Sequence, residues 1–343
     1  MALRDDPFLG SLAHEAGLRI AEYTMQELAN TAWACATLEM RNIPLLESLA
    51  AYARSSLDSE LQRTFGCRSS QRQAAQLFLA NVGGLAWSYT VLSLSGGPVD
   101  AYLAEAKIAC LELGMALDGS EGTHPEALAR SEMEEEEEEP KLAKLMRGMC
   151  LVLKPPGWEV DSEGDSGLRQ LSAFMQRALP PGERALAFRP DFGFGFIHRL
   201  DTPSSGLILT GTTFHGYCCL EWQMYTYEID REYFVLGHQV GKAPRLTVKK
   251  RILDCHMTAK VAENGRPAQS ELSFIADAWH RNTGDTLCLV AIKIYTGRRH
   301  QIRVHMQHSE CPSVADSRYG LSSKILIRSD AVETTRTRSV LEK

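Results

Sequence analysis

An unbroken run of six glutamates, Glu134 to Glu139, is the feature that most constrains how this chain folds. Neighbouring carboxylates repel one another, so the run resists packing into a core and is typical of a solvated linker. It lies at the end of residues 1–140, which have 9 Lys/Arg and 22 Asp/Glu, whereas residues 141–343 have 28 Lys/Arg and 21 Asp/Glu. We therefore expect two differently charged parts, of which the second is the one that a polyanion would meet.

The 343 residues, 44% of them hydrophobic, suffice for about two domains with a sizeable core. No stretch approaches the ~18 consecutive apolar residues of a membrane span, and residues 1–20 carry three acidic side chains where a targeting segment should be basic. Nine cysteines without a C-x-x-C pair argue against a disulfide scaffold or a zinc finger. We expect a soluble chain in a reducing compartment, without a membrane partner or a metal site.

The segment before the glutamate run repeats itself. Ala32-Trp33-Ala34 recurs 54 residues later as Ala86-Trp87-Ser88, and the pattern beginning at Pro7 recurs 37 residues later at Pro44. Apolar residues three or four apart predict helices in each repeat, and Pro44 and Pro98 mark the starts of second helices. Residues 1–125 are therefore predicted to form two-helix repeats.

Two details of this segment have alternative interpretations. Trp33 and Trp87 are interpreted as core residues between helices, with a platform for RNA bases as the alternative. The polar stretch Arg54 to Gln73, which makes the longer spacing, is predicted to be a loop or a helix extension.

The second part of the chain has a different pattern, with short apolar runs separated by turns that contain glycine and proline. The predicted strands are Cys150–Lys154, Leu207–Thr210, Tyr233–Leu236, Glu271–Ile275 and Thr286–Tyr295, and the best helix is Leu168–Leu179. The sequence thus predicts an α+β fold, a mixed and mainly antiparallel sheet domain preceded by an all-α repeat segment.

Three polar segments interrupt these apolar strands: residues 154–157, 198–201 and 296–305. Asp201 precedes a turn that would present its carboxylate at the end of a strand, so it is a candidate nucleophile or base. Arg303 is a candidate partner for Asp201, with a purely structural ion pair as an equally good interpretation from composition alone.

The ordered set of these motifs closely resembles the RluA/RsuA-type RNA pseudouridine synthases. The resemblance rests on Lys154-Pro155-Pro156-Gly157, His198-Arg199-Leu200-Asp201, Ser205-Gly206-Leu207, Tyr233, Gly265-Arg266-Pro267-Ala268, Thr296-Gly297-Arg298, His300-Gln301-Ile302-Arg303-Val304-His305 and Tyr319-Gly320. Two departures stand out: Ala315 replaces the glycine that usually precedes Asp316, and Leu321 to Lys343 lacks the usual closing strand.

The resemblance implies an isomerase that converts unpaired or flipped-out uridine in RNA to pseudouridine without a cofactor. In that case Asp201 is the catalytic carboxylate, as a nucleophile or as a base that removes a sugar proton, and Arg303 keeps it ionised. Tyr233 stacks on the base, Ile302 is an apolar wall, and Arg199 fills the space that the base leaves. The other predicted contacts with RNA or the base are His198, Arg298 and Lys154.

The predicted domains are 1–125 (helical repeats), 126–145 (acidic linker), 146–330 (catalytic domain) and 331–343 (polar tail). Residues 1–117 also resemble helical repeats of organellar RNA-binding proteins with RAP domains or octotricopeptide arrays. RNA is the expected partner and a monomer the default expectation. A cytoplasmic location is the default, with a mitochondrion or plastid as the alternative. The competing hypotheses are a catalytically silent RNA-binding protein with the same fold and a repeat scaffold that binds protein.

Overall fold

The computed structural model describes residues 7–66, 70–120, 139–160, 169–239, 243–280, 286–320 and 332–337. The chain forms two compact units, Met1–Glu228 and Ile229–Lys343. Helices come first and antiparallel sheets follow, which confirms the predicted α+β fold. The four-part domain division stays a prediction. Among the described residues, no helix has both the length and the apolar character needed to cross a bilayer.

The first unit begins with a helical array. Its helices are α1 (Pro7–Leu18), α2 (Met25–Thr37), α3 (Ile43–Gly66), α4 (Gln71–Val91) and α5 (Gly97–Ser120). Helix α2 packs on α4 and α3 packs on α5, as expected for stacked two-helix repeats. Pro44 and Pro98 each lie at the second position of a helix, where their fixed φ suits the first turn. The stretch from Arg54 is a helix extension, because α3 continues to Gly66.

The two tryptophans have different environments. Trp87 is half-buried against the array core, and its Nε1 donates a hydrogen bond of 3.1 Å to the hydroxyl oxygen of Tyr227. Trp33 is 43% exposed, so its assignment to the core is wrong. Helical spacing identifies which face a side chain occupies, but burial also requires a neighbour that covers that face.

The first unit continues with a three-stranded antiparallel sheet in the order β1-β2-β3. The elements are β1 (Lys141–Met146), β2 (Met149–Lys154), α6 (Leu171–Ala178), β3 (Gly206–Gly211) and α7 (Phe214–Tyr225). Strands β2 and β3 and helix α6 confirm the corresponding sequence predictions. Strand β1 corrects the predicted linker, whose last residues pair with β2 through a tight turn at Gly148 (φ +78°). The glutamates before Glu139 lie outside the described residues.

The helical array and this sheet share one hydrophobic core. Leu113 and Leu117 of α5 belong to the same buried cluster as Phe214 and Trp222 of α7. The Asp118 carboxylate accepts hydrogen bonds from the backbone N–H groups of Phe214 (2.8 Å) and His215 (3.0 Å). An acidic side chain at the amino end of a helix satisfies donors that have no partner within the helix. Helix α7 is therefore capped by the array.

In its described residues, the second unit has a five-stranded antiparallel sheet, one helix and a separate hairpin. Its elements are β4 (Arg231–His238), β5 (Arg245–Lys249), β6 (Ile252–Cys255), β7 (Thr258–Val261), β8 (Gln269–His280), β9 (Thr286–Ile294), α8 (Gln301–His308) and β10 (Val332–Thr337). Strand β9 lies between β8 and β4, and β5 and β10 pair with successive parts of β8. Strands β4, β8 and β9 confirm predictions.

Strand β10 corrects the predicted polar tail. Val332–Thr337 pairs antiparallel with β8, from Val332 opposite His280 to Thr337 opposite Ala276. Its sequence is polar and does not signal a buried strand, so the pairing depends on the free backbone groups of the neighbouring strand. Pairing of this kind comes from tertiary structure and is not encoded locally.

Two leucines at equivalent positions of successive repeats should differ sharply in how much their replacement by alanine lowers stability. Leu49 of α3 is fully buried, whereas Leu12, its equivalent one repeat earlier in α1, is 49% exposed. We expect Leu49→Ala to lower the free energy of unfolding by about 2–5 kcal/mol, and Leu12→Ala to change it by less than about 1 kcal/mol. Urea unfolding of both variants measures this difference. Equal losses would contradict the packing described for the array.

Candidate active site

The candidate catalytic carboxylate, Asp201, lies in the loop that enters β3 from its amino end. The loop turns tightly, since the N–H of Ser204 donates to the carbonyl of Asp201 at 2.9 Å. Gly206 then begins β3 with φ +144°, a conformation that a side chain would strain. Asp201 itself is half-buried. Asp201 precedes the turn before β3, as predicted, but residues 199–201 form no strand that ends at this carboxylate.

The side chain of Lys154 fixes this loop through hydrogen bonds to its backbone carbonyls. Strands β2 and β3 pair with Lys154 opposite Gly206, which brings the lysine next to the loop. Its fully buried ammonium donates to the carbonyl oxygens of Pro155 (3.0 Å), Thr202 (3.1 Å) and Ser204 (2.6 Å). The N–H of Gly157 also donates to the Thr202 carbonyl at 2.9 Å. The segments 154–157 and 201–206 therefore form one hydrogen-bonded structure.

This geometry corrects the predicted role of Lys154. A fully buried ammonium with three carbonyl acceptors has no surface with which to contact RNA, so Lys154 supports the Asp201 loop instead. Desolvation lowers its pKa from the ordinary 10.5 to about 8, although the nearby charge of Asp201 acts in the opposite direction. At neutral pH the lysine remains charged and can make all three hydrogen bonds.

His198 and Arg199 precede Asp201 in the same segment. The Nε2 atom of His198 accepts a hydrogen bond from the N–H of Leu209 in β3 at 3.1 Å, which ties the start of the loop to the strand. Arg199 is exposed, and the neighbouring Leu200 is buried and anchors the backbone. An exposed arginine next to the candidate carboxylate is well placed to contact RNA, and this role stays a prediction.

Tyr233 and Ile302 lie together in the second unit. Tyr233 in β4 lies opposite Ile292 in β9. The side chains of Tyr233 and Ile302 are both half-buried against the core of this unit. That core is made of Val248, Leu272, Phe274, Cys288, Val290, Ile292, Ile294, Met306 and Cys311. The structure thus puts the predicted aromatic residue and the predicted apolar wall on one cluster.

Arg303 forms a bidentate ion pair with Asp316. Its Nε and Nη2 atoms donate to the two carboxylate oxygens, each at 2.7 Å, and its Cζ lies 4.8 Å from the centre of the Tyr319 ring. Burial alone would raise the pKa of Asp316, but the hydrogen bonds from Arg303 and from the N–H groups of Arg318 and Tyr319 outweigh it and lower the pKa. Asp316 is therefore ionised.

The rest of the segment 296–305 divides into internal and surface residues. Gln301 is buried; its Oε1 accepts from Thr296 Oγ1 (2.7 Å) and its Nε2 donates to Ser270 Oγ (3.0 Å). His305 is fully buried between Ser270 Oγ (2.9 Å) and the Lys250 carbonyl (3.1 Å), and desolvation lowers its pKa. Neither Gln301 nor His305 is placed for contact with RNA; both fix α8 to β8.

Arg298 has a partly structural role. It is half-buried, and its Nε donates to the carbonyl of Pro267 at 2.9 Å. The exposed Arg299 donates to the carbonyl of His256 and lies 3.5 Å from the Asp254 carboxylate, so it braces the β6–β7 turn. The predicted contact of Arg298 with RNA stays a prediction.

Sequence reasoning missed the roles of Asp316 and Tyr319. Both belong to motifs singled out from the sequence, but neither was identified as a partner of Arg303. The predicted pairing of Arg303 with Asp201 involves residues of both compact units and stays a prediction. Within the described ranges, no group of three or more His, Cys, Asp or Glu side chains is arranged to hold a metal ion.

Residues 149–308 match the model of a family described as RNA pseudouridylate synthase. The match includes the polar segments 154–157, 198–201 and 296–305 and confirms the resemblance based on the motifs. The resemblance of residues 1–117 to organellar helical repeats stays a prediction.

Several individual proteins are similar to this chain. Ribosomal large subunit pseudouridine synthase C of Haemophilus ducreyi is 31% identical over 179 residues, which cover 50% of each chain. The protein of the same name from Pasteurella multocida is 31% identical over 185 residues, 51% of each chain. The solved structure of Human RNA Pseudouridylate Synthase Domain Containing 1 is 22% identical, with a TM-score of 0.45, and the match covers 59% of this chain and 79% of that one. The chain spans about half the length of these curated relatives.

The buried Lys154 gives stability a specific dependence on pH. The unfolded chain keeps the lysine proton up to a pKa near 10.5, whereas the folded chain loses it near 8. Since the unfolded state binds more protons in this window, the free energy of unfolding contributed by Lys154 rises with pH, by about 3 kcal/mol in all. We expect Lys154→Met to lack this rise and to be less stable at pH 7.

Denaturant unfolding between about pH 7 and 10.5 measures this contribution. Lys141→Met, which removes an exposed lysine from β1, serves as the matched control and should keep the wild-type slope. If the free energy of unfolding changed with pH in the same way for wild type and Lys154→Met, this ammonium would not titrate as described.

Replacement of Ala315 by glycine should stabilise the turn before Asp316. Ala315 is exposed and has φ +59°, in the left-handed region that L-residues other than asparagine and aspartate rarely adopt. We expect Ala315→Gly to raise the free energy of unfolding by roughly 0.5–1 kcal/mol, because relief of strain exceeds the added entropy of the unfolded chain. Thermal unfolding tests it; Ala262→Gly, at a position without positive φ, should instead lower stability.

Proposed function

We propose that this chain is an RNA pseudouridine synthase, an isomerase that converts selected uridines in RNA to pseudouridine. The family match of residues 149–308 carries the proposal. It is supported by the Asp201 loop, where a half-buried carboxylate and an exposed arginine lie on a hydrogen-bonded support, and by the excess of Lys/Arg in residues 141–343. Cationic side chains supply much of the affinity for RNA by neutralising phosphates.

In the proposed reaction the bond between the sugar C1′ and the base N1 breaks, the base turns, and C1′ bonds to C5. The proton on C5 moves to a base nitrogen, so the product is an isomer and no cofactor is consumed. We assign Asp201 as the catalytic carboxylate, acting by covalent attack or by removal of a sugar proton. Tyr233 stacks on the base, Ile302 lines the apolar side, and Arg303 provides a positive charge.

The target base must leave its helix or be unpaired, because its C5 and glycosidic bond are otherwise inaccessible. Arg199 is the proposed group that fills the space left by the base. Its guanidinium can donate to base edges and phosphates, and it is exposed at the end of the supported loop. Ribosomal RNA of the large subunit is the first RNA class to examine, since the curated relatives are named for it.

The direct test is carbodiimide-based mapping of pseudouridine in total RNA from cells that express this chain or its Asp201→Ala form. We expect at least one uridine to be modified by the wild type, and Asp201→Ala to lower its modification by at least about 100-fold. Asp58→Ala, which removes an exposed carboxylate from α3, is the matched control and should retain full modification.

RNA binding by the purified variants separates this proposal from its alternative. Wild type and Asp201→Ala should bind the modified RNA with similar affinity. If the folded wild type bound RNA but modified no uridine in any RNA class, a catalytically silent RNA-binding protein would replace the enzyme as the proposed function.

A further inference from the structure

We propose that Asp316 and Tyr319 are positioning residues that fix the direction of the Arg303 guanidinium. The inference deepens the proposed function and rests on it, since the arginine is the cationic group assigned to that reaction. Asp316 is only 5% exposed at its side chain and Arg303 is 22% exposed, so the pair lies largely out of solvent. Two parallel hydrogen bonds of 2.7 Å fix both the position and the plane of the guanidinium.

Tyr319 provides a second, independent restraint. Arg303 Cζ lies 4.8 Å from the ring centre, within the range of a cation–π contact. The ring is itself held, because its hydroxyl oxygen accepts from the N–H of Ala259 at 2.7 Å and lies 2.8 Å from His300 Nδ1. Tyr319 is therefore anchored both to β7 and to the residue that precedes α8.

The two restraints belong to one short turn. The N–H groups of Arg318 and Tyr319 donate to Asp316 Oδ1 at 3.0 and 3.1 Å, and the N–H of Gly320 donates to the Asp316 carbonyl at 2.8 Å. The carboxylate is thus fixed by its own backbone before it contacts Arg303. A rigid acceptor of this kind can orient a long and otherwise flexible side chain.

The geometry determines how Arg303 presents its other donors. A guanidinium is planar and has five N–H groups, of which the pair with Asp316 uses one on Nε and one on Nη2. With the plane fixed, the directions of the remaining three N–H groups are fixed as well. A reaction in which an arginine holds an anion is faster when the arginine is oriented in this way. Misplacement of such a group by about 1 Å can lower the reaction rate about 100-fold.

The first measurement is the NMR signal of the Arg303 Nε–H, assigned by its loss in Arg303→Lys. In the full wild-type chain we expect a shifted signal that exchanges slowly with water. Asp316→Asn keeps the shape of the side chain but replaces one acceptor oxygen with a donor, so the signal should move and exchange faster. Asp316→Glu restores both acceptors and should recover part of the protection. A signal unchanged in Asp316→Asn would overturn the proposal.

The second measurement is the single-turnover rate at the uridine that the wild type modifies. We expect Asp316→Asn and Tyr319→Leu to lower this rate by roughly 10- to 100-fold. RNA affinity, measured with Asp201→Ala in the background, should stay within about threefold, a change of less than one kcal/mol. A loss confined to RNA affinity, with an unchanged rate, would overturn the positioning role.

Two comparisons separate positioning from general destabilisation. Tyr319→Phe keeps the aromatic ring next to Arg303. It should therefore lower the single-turnover rate less than Tyr319→Leu does, when the two variants are compared under conditions in which both are equally folded. Ser317→Ala, in the same turn but exposed and outside these contacts, should leave the NMR signal and the rate unchanged. If the wild type modified no RNA, the proposed function would fail, whereas the NMR comparison would still decide whether Asp316 and Tyr319 orient Arg303.

Discussion

The buried ammonium of Lys154 is the interaction on which the candidate catalytic loop depends. Removal of a charge from water costs several kcal/mol unless hydrogen bonds replace the lost hydration, and here three carbonyl groups supply them. Two of those carbonyls belong to Thr202 and Ser204, directly after Asp201. The lysine therefore requires the loop to close over it. The register of β2 and β3, with Lys154 opposite Gly206, brings these carbonyls within reach of the ammonium.

In the first unit a helical-repeat array packs directly against the helix that follows the β-sheet. Stacked two-helix repeats bury apolar surface only against neighbours, so the last repeat needs a cover. Helix α7 provides it, with Asp118 as its cap and Gly114 close to the backbone of His215, where a Cβ atom would come within 2.6 Å of the Cα. Array and sheet therefore share one core, although the sequence suggested a linker between separate domains.

The sequence predicted the elements better than the contacts between them. Apolar runs gave β2, β3, β4, β8 and β9, and helical spacing gave the array, because these signals depend on local periodicity. Three features depended on tertiary packing, which local periodicity does not report: the exposure of Trp33, the strand within the polar tail, and the pairing of Arg303 with Asp316. The motifs identified Asp201, but composition could not distinguish Lys154 as a contact with RNA from Lys154 as a buried support.

The segment 296–305 has a consequence for how such proteins are recognised. Thr296, Gln301 and His305 are internal and hold α8 against β8, whereas Arg303, which pairs with Asp316, is the cation assigned to the proposed reaction. Selection for folding alone would therefore preserve these three residues in a descendant that had lost its chemistry. A match to the whole motif therefore overstates the evidence for activity, because its internal members are needed for folding alone. If the proposed function holds, the joint loss of Asp201, Arg303 and Asp316 would mark an inactive descendant better than a partial match to this motif.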